Sequence, residues 1–142
     1  MAKSAKILII DDEEFLRENL KYVFERKGHE VVLAGDGIQG LKALEICAPD
    51  LIILDLNMPN MGGIEFFQHI CEGDRLKYPV LVLTARANMD QLYKEFKVEQ
   101  FFRDFNVDGV MSKPFELQVL VEQVAAIIAR KADAGAVSPG NV

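Results

Sequence analysis

Short unbroken apolar runs alternate along this chain with stretches whose apolar residues recur at helical spacing. Ile7-Leu8-Ile9-Ile10 runs straight into Asp11-Asp12-Glu13-Glu14, and Leu51-Ile52-Ile53-Leu54 runs straight into Asp55. A run without polar alternation predicts a strand buried on both faces, as in a parallel sheet. Glu30 to Ala34, Pro79 to Thr84 and Asp108 to Lys113 predict three further strands. Between them, Leu16, Leu20, Val23 and Phe24 fall on one helical face with Phe15 at its edge, and Lys27-Gly28 supplies a cation and a left-handed stop. Leu41, Leu44 and Ile46 mark a second helix, Ile64 to Glu72 a third, and Asn88 to about Phe105 a fourth. Leu117, Leu120, Val121, Val124 and Ile128 mark a last helix over Glu116 to Lys131. Strands alternating with helices predict an α/β fold: a (βα)5 three-layer sandwich of flavodoxin type, its parallel sheet in strand order 2-1-3-4-5.

Size and composition narrow the class. The 142 residues suffice for one domain, expected over residues 5–131, with 132–142 as a disordered tail that lacks periodicity. The apolar fraction of 50% and charged fraction of 27% suit a soluble globular protein. A net charge of -6 argues against a broad basic face for nucleic acid. No apolar run is long enough to span a bilayer or to form a signal-peptide core, so a cytoplasmic location without membrane contact is expected. Cys47 and Cys71 have no metal-site spacing and are expected as free thiols. His29 and His69 lie on elements away from the acidic strand ends.

Parallel strands deliver their last residues to one edge, where ligands of open α/β sheets bind. That edge collects Asp11 and Asp12, Asp55, Thr84 and Lys113. Each has an ordinary reading by itself: a turn or cap acid, a strand-end hydroxyl, a surface lysine. Their conjunction at the same end of successive strands is more specific. Three neighbouring carboxylates repel one another unless a cation compensates, and a hard divalent ion such as Mg²⁺ leaves positions open for phosphate oxygens. A carboxylate beside such a metal can act as a nucleophile, while a lysine and a hydroxyl contact the phosphoryl oxygens.

These residues carry a resemblance. Ile9-Ile10-Asp11-Asp12, Leu54-Asp55-Leu56-Asn57-Met58-Pro59-Asn60-Met61-Gly62-Gly63, Leu83-Thr84-Ala85 and Lys113-Pro114-Phe115 resemble the receiver domain of two-component response regulators, from Lys6 to about Arg130. The resemblance implies Asp55 as phosphoacceptor, supplied by a sensor histidine kinase or a histidine phosphotransfer protein. It implies Mg²⁺ bound by Asp12, Asp55 and the main-chain carbonyl of Asn57, with Asp11 acting largely through water. Thr84 and Lys113 contact the phosphoryl group, Asn57 and Arg86 tune its hydrolysis, and the Lys113-Pro114 bond is cis. Chemistry is confined to self-phosphorylation and self-dephosphorylation, so the chain is not expected to be an enzyme. Output is expected through a downstream protein, or a second copy of the chain, at the face of the fourth helix, fifth strand and fifth helix.

Two departures from the family pattern bear on output. Val110 stands where an aromatic ring usually swings inward. The interval from Thr84 to Lys113 is several residues longer than usual, and Tyr93, Phe96, Phe101, Phe102 and Phe105 cluster within it. The rings are expected to bury against their own domain, with an exposed partner patch as the alternative. A phosphorylation-independent interaction module is the alternative function. A phosphohydrolase is disfavoured because Asn57 stands where its usual second acid would be.

Overall fold

The structure, a computed structural model, describes residues 4–72, 75–85 and 107–137. Arg86 and the expected fourth helix, with its aromatic cluster from Tyr93 to Phe105, lie outside the described residues.

The strands are β1 (Lys6–Ile10), β2 (Glu30–Ala34), β3 (Leu51–Asp55), β6 (Val80–Ala85) and β7 (Gly109–Lys113). They form one parallel five-stranded sheet in the order β2-β1-β3-β6-β7. This is the predicted 2-1-3-4-5 order; the labels skip because Cys71–Glu72 (β4) and Arg75–Leu76 (β5) pair as a separate antiparallel hairpin.

Because successive side chains on a strand point to opposite faces, each apolar run feeds two cores. Ile7, Ile9, Leu51, Ile53, Leu81, Leu83 and Met111 join one core. There they meet Leu20 and Phe24 of α1 (Glu14–Arg26) and Leu120, Val124 and Ile127 of α4 (Leu117–Val137). Leu8, Ile10, Ile52, Leu54, Val80 and Val82 join the other. It is covered by Ala43 of α2 (Gly37–Ile46) and by Phe66 and Phe67 of α3 (Gly63–His69). Every residue of β3 is buried, as expected for the central strand.

The predicted stop of α1 is present: Gly28 takes φ 92°, and its N–H donates to Glu25 O at 3.0 Å. Elsewhere the helices differ from expectation. In α2 the buried positions are Gly37, Gly40 and Ala43, whereas Ile46 is 86% exposed. The helix lies so near the sheet that a Cβ at Gly40 would stand 2.7 Å from Ile10 Cδ1, so small residues face inward and the large ones flank. The third helix stops at His69 rather than Glu72. Ile70 is buried, its carbonyl accepts the Lys77 N–H at 3.2 Å, and the following residues pair across the hairpin, a tertiary preference invisible to helical spacing. The last helix continues to Val137, so the first part of the expected tail is helical. Ala132, Ala134 and Ala136 favour a helix by propensity, against the opposing preferences of Asp133 and Gly135. Phe15 and Leu117, assigned to buried helix faces or their edges, are 81% and 42% exposed.

Candidate functional site

The sheet brings the predicted acids together. Asp55 ends β3 at 4% exposure, and Asp11, just beyond β1, is 1% exposed. Asp12 beside it is exposed. One carboxylate oxygen from each of Asp11, Asp12 and Asp55 lies within 4.8 Å of the others. Lys113, the last residue of β7, reaches across the sheet edge into this group. Its Nζ stands 2.6 Å from Asp11 Oδ2, 3.0 Å from Glu13 Oε1 and 3.3 Å from Asp55 Oδ2. The Lys113–Pro114 bond that follows is cis.

Local hydrogen bonds fix both carboxylates. Asp11 Oδ1 accepts the Glu13 N–H at 2.9 Å, and Asp55 Oδ1 accepts the Asn57 N–H at 3.1 Å. Each acid thereby closes the turn leaving its own strand and turns its other oxygen toward Lys113. Arg17 of α1 donates from Nη1 to the Asp11 carbonyl at 2.7 Å.

The electrostatics follow from burial. Desolvation, then the neighbouring Asp11 charge, pushes the Asp55 carboxyl up to about 6, against the opposing pull of Lys113. Burial likewise raises Asp11 above the ordinary carboxylate range. Burial alone would lower the Lys113 pKa, but its interactions with Asp11, Asp55 and Glu13 outweigh that and hold it above the usual lysine value. One ammonium thus faces two buried acids, Asp11 and Asp55, that cost free energy to keep ionised. With the exposed Asp12 these two form an oxygen donor set that a hard divalent cation fits.

Thr84 lies in β6 in register with Ser112 of β7, one position beyond the Leu83 that pairs with Asp55. Its side chain lies outside the described residues, as does Arg86. Two contributors were not singled out by sequence reasoning. Glu13 entered only as one of the acids that follow the first strand, and Arg17 did not enter at all. Their signal is position alone: the N-cap and first turn of the helix that leaves the acidic edge.

The chain matches the family model described as the response regulator receiver domain over residues 7–125. It belongs to the response regulator receiver family. It is 37% identical over 125 residues to the alkaline phosphatase synthesis transcriptional regulatory protein PhoP of Bacillus subtilis, covering 88% of this chain and 49% of that protein. The receiver chain therefore spans about half the length of the curated relatives it matches. Among solved structures, it resembles the receiver domain of Francisella response regulator 1452 at a TM-score of 0.74 and 25% identity, covering 89% of this chain and 98% of that one. It also resembles response regulator TrrA of Thermotoga maritima, solved in complex with Mg²⁺-BeF, at a TM-score of 0.66 and 28% identity, covering 86% and 97%. Receiver domains are signalling modules, and the Asp11, Asp12, Asp55 group is this receiver's candidate for Mg²⁺. No helix among the described residues is long and apolar enough to cross a membrane.

Proposed function

We propose that this receiver accepts a phosphoryl group on Asp55 from a phosphohistidine of a sensor kinase or phosphotransfer protein. The observation that carries this reading is the buried Asp55 carboxylate, 3.3 Å from Lys113 Nζ and grouped with Asp11 and Asp12. An Asp55 oxygen attacks phosphorus as the P–N bond breaks, and the imidazole leaves with the electron pair and takes up a proton. The Asn57 N–H holds Oδ1 and so fixes the rotation of the carboxylate. Phosphorylation replaces the Asp55 carboxylate charge with that of the phosphoryl oxygens, which Lys113 can follow while Asp11 and Glu13 keep it at the strand edge. Mg²⁺, held by Asp12, Asp55, the Asn57 carbonyl and, through water, Asp11, would neutralise charge on the transferred group. Thr84 is the assigned hydroxyl contact, and Arg86 and Asn57 the residues that tune water access. Output runs through a downstream protein or a second copy of the chain at the face that includes β7 and α4.

Incubation with Mg²⁺ and acetyl phosphate tests the reading. Wild type should gain the mass of one phosphoryl group, and Asp55→Ala should gain none. A labelled Asp55→Ala protein would overturn it.

One observation supports the alternative of a phosphorylation-independent module. Val110 on β7 is 41% exposed and has no ring to relocate. Equal partner binding by wild type and Asp55→Ala would favour that alternative.

A further inference from the structure

The loop between β3 and α3 carries Asn57, and it is fastened at two places. At its base the Gly63 N–H donates to Leu56 O at 2.9 Å. Its far side is tied to the turn between β2 and α2. Asn60 Nδ2 donates to Asp36 Oδ2 at 2.8 Å, and the Gly37 N–H donates to Met61 O at 3.0 Å. Asn60 holds φ 64°, a left-handed conformation that Asn tolerates better than most residues. A Cβ at Gly37 would stand 2.6 Å from Met61 Cγ, so the two segments meet at their closest possible approach. Asp36 is 7% exposed and uses Oδ1 to accept the Gln39 N–H at 2.9 Å, capping α2.

The same turn is bonded to the other acidic segment. The Asp11 N–H donates to Ala34 O at 3.1 Å. Arg17, whose Nη1 bonds the Asp11 carbonyl, lies against Gly35, where an added Cβ would stand 3.3 Å from that nitrogen. Residues 34–37 therefore touch both the Asp11 segment and the Asn57 loop, although none of them belongs to the acidic group.

We propose that this turn is the spacer between the two halves of the metal site, with Asp36 and Asn60 as positioning residues for the Asn57 carbonyl. The proposal rests on reading Asp55 as a Mg²⁺-dependent phosphoacceptor. The Asp36–Asn60 bond stops the loop from swinging away from β3. A Mg²⁺ ligand carried on that loop then needs no ordering when the ion arrives. Outer-shell partners of this kind set metal affinity without touching the ion.

The test is an NMR titration of backbone amide shifts with Mg²⁺ alone. Asp36→Asn keeps a capping acceptor for Gln39 but sets an amide donor against the Asn60 donor. Asn60→Gly keeps the left-handed backbone and deletes the bond. Each should weaken Mg²⁺ binding about tenfold, the lower end of the range for outer-shell changes. The exchanged pair Asp36→Asn/Asn60→Asp again faces a donor with an acceptor and should return affinity to within about threefold of wild type. Loss of fold alone would not be repaired selectively in metal affinity by the exchange. Single variants that bind Mg²⁺ as wild type does, or an exchanged pair as weak as the singles, would overturn the spacer and leave the phosphoacceptor reading standing. A wild type that neither binds Mg²⁺ nor forms a beryllofluoride adduct would overturn both.

Discussion

Lys113 stands closer to Asp11, at 2.6 Å, than to the proposed acceptor Asp55, at 3.3 Å. The lysine is thus anchored on one acid while it partly compensates the other. Its 2.6 Å bond to Asp11 does not depend on the state of Asp55. Both acids are nearly inaccessible, so their ionised forms depend on this one ammonium.

Replacing Lys113 with Met should destabilise the metal-free protein by about 2–3 kcal/mol at pH 8. That is less than the usual cost of orphaning a buried charge, because the freed carboxyls can take up a proton. The loss should shrink at pH 5 and on addition of Mg²⁺. Urea unfolding at both pH values, with and without the ion, measures it.

Asp55 titrates near 6 in the fold, above the ordinary 3.8. The folded state then binds more protons than the unfolded state between those values, so this group's stabilising contribution is complete below pH 4 and is lost as pH rises through about 6. Without metal, Asp55→Asn should gain on wild type by about 2–3 kcal/mol between pH 4 and pH 8. Parallel pH-dependent urea midpoints would show the widening gap, and a constant gap would contradict the shifted titration.

The Asp11 charge is the second cause of the raised Asp55 value. Asp11→Asn should therefore move the Asp55 titration to lower pH, and ¹³C NMR of the side-chain carboxyl reads this directly. An upward move would show that the lost hold on Lys113 outweighs the removed repulsion.

Glu13 also holds Lys113 at 3.0 Å, but its side chain is 59% exposed. Exposed pairs contribute little, so Glu13→Gln should change stability by less than about 0.5 kcal/mol. Comparison with Lys113→Met in the same urea series separates the exposed partner from the buried pair.

At Gly40, a Cβ would meet Ile10 Cδ1 at 2.7 Å and Phe66 Cε2 at 2.9 Å. Gly40→Ala should lose about 1–3 kcal/mol through overpacking, despite the better helix propensity of alanine. A stabilised variant would mean that α2 can lift off the sheet.

Much of this protein is legible in its sequence because the signals are local and repeated. The apolar runs at Ile7 and Leu51 specify strands buried on both faces, and chain direction then places Asp11, Asp55 and Lys113 at one edge of the sheet. Less legible are features that depend on which element lies opposite. The inward face of α2 is built from Gly37, Gly40 and Ala43 because the helix approaches the sheet closely, and no apolar count reveals that distance. The early end of α3 follows from strand pairing after Ile70, and the extension of α4 from helix propensity without an apolar stripe.

Within the site, the sequence by itself determined which groups gather: two adjacent acids, a third acid and a lysine, each ending a strand of one parallel sheet. Only the tertiary structure decided how they share charge. Lys113 favours Asp11, Glu13 joins it, and burial lifts Asp55 toward 6. Only the tertiary structure, too, tied the Asn57 loop to Asp36 through Asn60. The reason is one of range. Strand direction follows from neighbours in the chain, whereas hydrogen bonds and desolvation depend on groups that folding brings together.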